Sequence, residues 1–200
     1  MQIAAWLVIF LAVLAWSGWR PHDYPTWWLE VSPALIALVV LAYTRRRFPL
    51  TTLVYWLILV HAVILMVGGH YTYARVPVGF WWMEWTCGIR NDYDKLGHLA
   101  QGFVPAIVIR EILRRHQVIA RRAWLAPIVV SICLAISALY ELLEWWVALL
   151  SEEAAESFLG TQGYVWDTQS DMFWALLGAI LALALLSRVH DRQIRAIKSG

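Results

Sequence analysis

The sequence predicts an all-α, polytopic membrane protein, a bundle of about six transmembrane helices with both termini cytoplasmic. Three observations carry that expectation. Of the 200 residues, 61% are hydrophobic and 15% charged, with a mean hydropathy of +0.60, which leaves too few polar residues to cover a water-soluble domain of this length. Several apolar runs reach the roughly 20 helical residues that a bilayer core demands. The 14 tryptophans suit a chain that meets the membrane–water boundary repeatedly, where indole is favoured.

The apolar runs place helices at about 3–19, 27–44, 51–68, 95–115, 123–149 and 168–187. The first lacks a basic segment ahead of it and a second apolar run follows at once, so it is read as a retained helix and not a cleaved leader. Glycines in "VGGHYTYARVP" are expected to break the third helix at Gly68 and Gly69, so that His70, Tyr71 and Tyr73 emerge beyond it. Glu30 is expected to be a capping or boundary charge at the start of the second helix, and His61 a packed or pore-facing residue of the third. No internal repeat or low-complexity segment is present, and with short loops the chain 1–200 is expected to form one integral membrane domain. Cys87, in a loop, and Cys133, inside an apolar run, read as separate thiols and not as a disulfide or metal pair.

Lysine and arginine set the orientation. Arg45, Arg46 and Arg47 lie between helices two and three; Arg114, Arg115, Arg121 and Arg122 between four and five; Arg188, Arg192, Arg195 and Lys198 in the tail. With these segments cytoplasmic, the opposite side holds Arg20, Arg75, Arg90 and Lys95. The bacterial cytoplasmic (inner) membrane is the expected location. The fourth helix then enters from the exoplasmic side at Asp94, the fifth leaves past Glu141 and Glu144, and the sixth enters at Asp167 and Asp171.

Three spacings follow. In "DKLGH", Asp94 and His98 are four apart and share a helix face, with Gln101 three further on. In "YELLEWW", Glu141 and Glu144 are three apart; in "WDTQSDM", Asp167 and Asp171 are four apart. Each pair falls within roughly 5–13 Å of the exoplasmic boundary at the helical rise. Asp94 and Asp167 also suit helix N-caps, and a salt bridge to Lys95 or His98 would explain one glutamate. Neither accounts for so many acids, because ionisable groups in a membrane face a cavity or one another. A divalent metal would relieve their repulsion, and oxygen and nitrogen donors suit Zn, Mn, Mg or Fe. Asp94, His98, Glu141, Glu144, Asp167 and Asp171 are the candidate ligands. His70 is a candidate general acid or base, and Arg90 and Lys95 candidates to steady a substrate anion. Glu111 and Arg115 read as an i,i+4 surface pair.

The segments "GGHYTYARVPVG", "RNDYDKLGHLAQGFVPAIVIREIL", "SALYELLEWW" and "GTQGYVWDTQSDMFWALLGA" resemble the YjdF family of bacterial inner-membrane proteins over about residues 50–185. That pattern often has an acid where this chain has Tyr164, so Tyr164 is not counted as a ligand. A more distant similarity to VanZ-like proteins, a group with a factor linked to glycopeptide-antibiotic resistance, matches Asp94, Lys95, His98, Glu141, Asp167 and Asp171 to shared polar positions. The resemblance implies the polar site and not a reaction.

Three functions are compatible with these residues. The first is a metal-assisted hydrolase or transferase acting on a lipid head group or lipid-linked envelope precursor. The second is a small-solute or proton-coupled transporter, against which stand the one-sided polar cluster and the apolar "MFWALLGAILALALL". The third is a structural or accessory protein whose polar cluster locks helices together, with Gly178 and its alanine neighbours supplying a close-packing face. Membrane lipids are the expected partners and no nucleic acid is; the sequence says nothing of oligomeric state.

Overall fold

In the computed structural model, residues 2–86, 90–149 and 165–199 are described. Cys87, Tyr164 and most of the acidic segment ahead of Asp167 lie outside them. The apolar runs form helices because a chain in lipid must satisfy its backbone groups internally. They are α1 (Gln2–Gly18), α2 (Tyr24–Thr44), α3 (Thr52–Tyr71), α4 (Pro77–Thr86), α5 (Tyr93–Arg115), α6 (Leu125–Ala148) and α7 (Asp167–Ser199). Five of these are long and apolar enough to cross a membrane, and α1 is a shorter apolar helix. The fold is all-α and that of a polytopic membrane protein. Large apolar side chains such as Val39 (67% exposed) and Leu185 (65%) point outward, which a bilayer tolerates and water does not.

Several local expectations are corrected. α2 starts three residues early because the Asp23 side chain caps it, accepting from the Thr26 amide at 2.7 Å, with Pro25 in the first turn. Glu30 is therefore no cap: it sits in the second turn, buried. α3 runs through Gly68 and Gly69 and ends only where Thr72 turns to φ 60°. The two glycines serve close approach instead of helix breaking. A Cβ on Gly69 would press on Val31 Cγ2 at 3.1 Å and Glu30 Cβ at 3.2 Å, and one on Gly68 would enter the Tyr73 ring. α4 lies in what reads as a loop and carries the exposed rings of Trp81, Trp82 and Trp85. α7 continues well past residue 187, because charge ends the apolar span without ending the helix. Its 33 residues reach about 50 Å at the helical rise, beyond the ~30 Å hydrocarbon core.

The chain divides into two compact units, Met1–Gly97 with Arg192–Gly200, and His98–Asp191. The first has a core of Trp6, Phe10, Trp27, Val31, Leu59 and Met66 from α1, α2 and α3. Trp6 and Phe10 stack at 5.3 Å, and Trp27 Nε1 donates to Ser17 Oγ at 3.2 Å. In the same unit Asn91 braces the approach to α5, donating to the Val76 carbonyl at 2.9 Å and accepting from the Tyr93 amide at 3.0 Å. The second unit is organised by a close crossing of α5 and α7. A Cβ on Gly102 would collide with the Ala175 carbonyl oxygen, and one on Gly178 with the Leu99 carbonyl oxygen. Ala175, Ala179 and Ala182 are fully buried beside them, a small-residue seam of the kind that lets membrane helices touch backbone to backbone.

Candidate functional site

The seam has a direct chemical consequence. His98 lies one turn before Gly102 on α5, and Asp171 one turn before Ala175 on α7, so the crossing that joins the glycine to the alanine also brings these polar residues together. His98 Nε2 stands 3.9 Å from Asp171 Oδ2. α6 adds Glu141, whose Oε1 is 3.9 Å from His98 Nδ1. All three residues are buried, at 6%, 3% and 8% exposure. The Tyr140 ring flanks the imidazole edge-on, with centroids 6.4 Å apart.

Gln101 decides what the imidazole can do. Its Oε1 lies 3.0 Å from His98 Nδ1, and a carbonyl oxygen only accepts, so Nδ1 carries a proton and Nε2 is the nitrogen that faces Asp171. At 3.9 Å the imidazole–carboxylate separations exceed a hydrogen bond. The Nε2–Asp171 separation falls within about 4.2 Å, the span of two ligand atoms bound at ~2.1 Å on opposite sides of one ion. A ring nitrogen fixed as acceptor by a hydrogen bond on its other nitrogen is the usual state of a metal-ligating histidine.

The family whose description reads "Predicted membrane protein (DUF2238)" matches residues 2–192. The chain belongs to the DUF2238 family. It is 55% identical over 183 residues to "Inner membrane protein YjdF" of Escherichia coli strain K12, an alignment covering 92% of this chain and 88% of that relative. No solved structure matches. With the apolar helices, the relationship makes this DUF2238 member a multi-pass protein of the bacterial inner membrane.

The remaining site candidates of this DUF2238 chain are placed as follows. Asp94 is in the first turn of α5, past the cap position and one turn before His98. Asp167 is the first residue of α7, half-buried, and Glu144 is half-buried on α6 one turn beyond Glu141. Lys95 and Arg90 both engage Asp92, at 2.7 and 3.5 Å, an acid that sequence reading passed over because it precedes the helix. His70 lies in the first unit, in the last turn of α3. Its Nδ1 is 3.0 Å from the Ser17 carbonyl oxygen and its ring is 4.5 Å from that of Trp16.

A second polar network went unread. Glu111 is fully buried, so the expected surface pair instead joins a buried carboxylate to a half-buried Arg115, at 2.9 Å. Glu111 Oε2 also accepts from His190 Nε2 at 2.9 Å, while Arg110 donates to His190 Nδ1 at 2.9 Å and to Asp191 Oδ1 at 2.5 Å. Arg114 and Arg122 converge on the same Asp191. These partners are 69–81 residues apart in sequence. The available signal was the unbroken helical run into "SRVHDRQ" together with charges inside "VIREIL".

Proposed function

We propose that the protein is a metal-assisted hydrolase or transferase acting on a lipid head group or a lipid-linked envelope precursor, with the His98 end of α5 on the exoplasmic side. The single observation that carries this reading is the convergence of His98, Glu141 and Asp171 from three membrane helices, with imidazole–carboxylate separations of 3.9 Å. Two buried carboxylates flanking one imidazole require a cation or a proton. His98 would contribute Nε2, oriented by Gln101, and Asp171 a carboxylate. Asp94, one turn before His98 on the same helix, offers a further oxygen. Such a donor set suits Zn, Mn, Mg or Fe. A bound divalent ion supplies Lewis acidity and an activated water. Glu141, which faces the ring nitrogen that carries the proton, is placed to exchange a proton with it as charge changes. Burial of these groups excludes bulk water, which strengthens every charge interaction within the cluster.

The experiment is metal analysis of the protein purified in mild detergent without chelator. About one divalent ion per chain is expected, lost in His98→Gln and Asp171→Asn while the native melting profile is retained in the presence of lipid. Absence of metal from the native protein, with both variants as stable and active as the parent in vivo, would sink the proposal. It would leave the locking of helices through the Gly102–Ala175 crossing as the role of the cluster.

A further inference from the structure

In the first unit a cavity of about 350 Å³ opens between α1, α2 and α3, at the lower end of the ~300–1,000 Å³ usual for ligand sites. Its walls are apolar, built from Leu7, Leu38, Leu41 and Trp56. Two wall groups with polar atoms turn them elsewhere: Trp6 Nε1 donates to the Tyr55 carbonyl at 2.8 Å, and the Tyr55 hydroxyl accepts from the Leu50 amide at 3.3 Å.

The rim is different. Arg45 and Arg46 also line the cavity, immediately after α2 ends at Thr44, and both are exposed. No acidic residue lines it, and neither arginine makes an ion pair among the described residues. The third arginine of the run is drawn aside, its guanidinium 5.7 Å over the Tyr43 ring. Thr52, the first residue of α3, completes the rim, so the positive end of that helix dipole faces the same place.

We propose that this groove binds an anionic phospholipid, its phosphate between Arg45 and Arg46 and one acyl chain along Leu38 and Leu41. The levels agree. Leu38 precedes Arg45 by seven residues, about 10 Å along a helix, so the arginines lie where α2 leaves the apolar layer and the leucines lie at acyl depth. The chemistry selects the ligand. A forked guanidinium pair suits a phosphodiester, unbalanced positive charge disfavours a headgroup with its own ammonium, and the apolar walls gain nothing from a soluble anion. The site is independent of the His98 cluster.

The test is native mass spectrometry of the full chain in uncharged detergent, with equal amounts of phosphatidylglycerol and phosphatidylcholine added. The native protein is expected to favour phosphatidylglycerol by roughly thirtyfold, the order set by two interfacial charges. Arg45→Gln with Arg46→Gln removes the preference, whereas Arg47→Gln keeps it. Ala42→Trp, which fills the groove and leaves the arginines in place, lowers retention of both lipids. Equal binding of the two lipids by the native protein overturns the proposal, as does a preference that survives the double variant. Full retention in Ala42→Trp overturns the acyl groove, and displacement of the lipid by inorganic phosphate assigns the rim to a soluble anion instead. Thermal melting of each variant separates loss of lipid from loss of fold.

Discussion

At the scale of single residues, two buried histidines show how hydrogen-bond partners dictate chemistry. His98 has Gln101 Oε1 against Nδ1, which leaves Nε2 turned to Asp171. His190 is the reverse: an arginine can only donate, so Arg110 makes Nδ1 of His190 the acceptor and obliges Nε2–H to donate to Glu111. Both ring nitrogens of His190 are thus engaged by neighbouring side chains, whereas Nε2 of His98 faces a carboxylate at 3.9 Å. The network around His190 yields a stability prediction. Asp191→Asn leaves Arg110, 3% exposed, without its counter-charge, and is expected to destabilise the protein by about 3–5 kcal/mol, measured by thermal or denaturant unfolding in detergent. Arg122 contacts the same aspartate, but its side chain is 78% exposed, so Arg122→Gln is expected to change stability by under about 1 kcal/mol. Equal effects of the two substitutions would contradict the assignment of Arg110 as the buried partner.

At the scale of elements, the α5–α7 seam places the candidate site. Gly102→Val adds atoms where the Ala175 carbonyl already lies. The helices must part, which is expected to cost about 1–3 kcal/mol and to abolish metal retention although no candidate ligand is altered. Gly178→Val acts on the same seam further along α7 and is expected to do likewise. Calorimetric melting together with metal analysis checks both, and metal retention with an unchanged melting temperature would contradict a positioning role for the seam. His98, Glu141, Asp171 and Gly178 were all legible in the sequence, because a polar or small residue in an apolar helix is conspicuous. Gly102 was not singled out, since one glycine in a helix reveals neither its neighbour nor its distance. The same limit explains Glu111, whose i,i+4 arginine suggested a surface pair while its burial depended on His190 far along the chain. It explains the glycines of α3 too: whether Gly68 and Gly69 break a helix or admit a neighbour depends on Tyr73, Val31 and Glu30 packing there.

At the scale of the whole molecule, orientation is the property on which the functional proposal depends. The arginine-rich segments around residues 45–47, 114–122 and 188–195 predict cytoplasmic exposure. A C-terminal fluorescent-protein fusion is therefore expected to fluoresce in living cells, and a C-terminal alkaline phosphatase fusion to be inactive. The opposite result would put the His98 end of α5 on the cytoplasmic side and remove the exoplasmic substrate from consideration.

The sequence by itself determined that this is an all-helical protein of the membrane. It also determined roughly where each spanning helix lies and which ends carry arginine and which carry acids. Hydropathy and charge are sums over residues, and a bilayer responds to those sums. Only the tertiary structure decided which polar residues lie together, that α7 continues into a charged network, and that α1, α2 and α3 line an arginine-rimmed apolar groove. Those properties depend on distances between residues far apart in the chain, set by backbone contact at glycine and alanine and by side-chain packing, which no local pattern encodes.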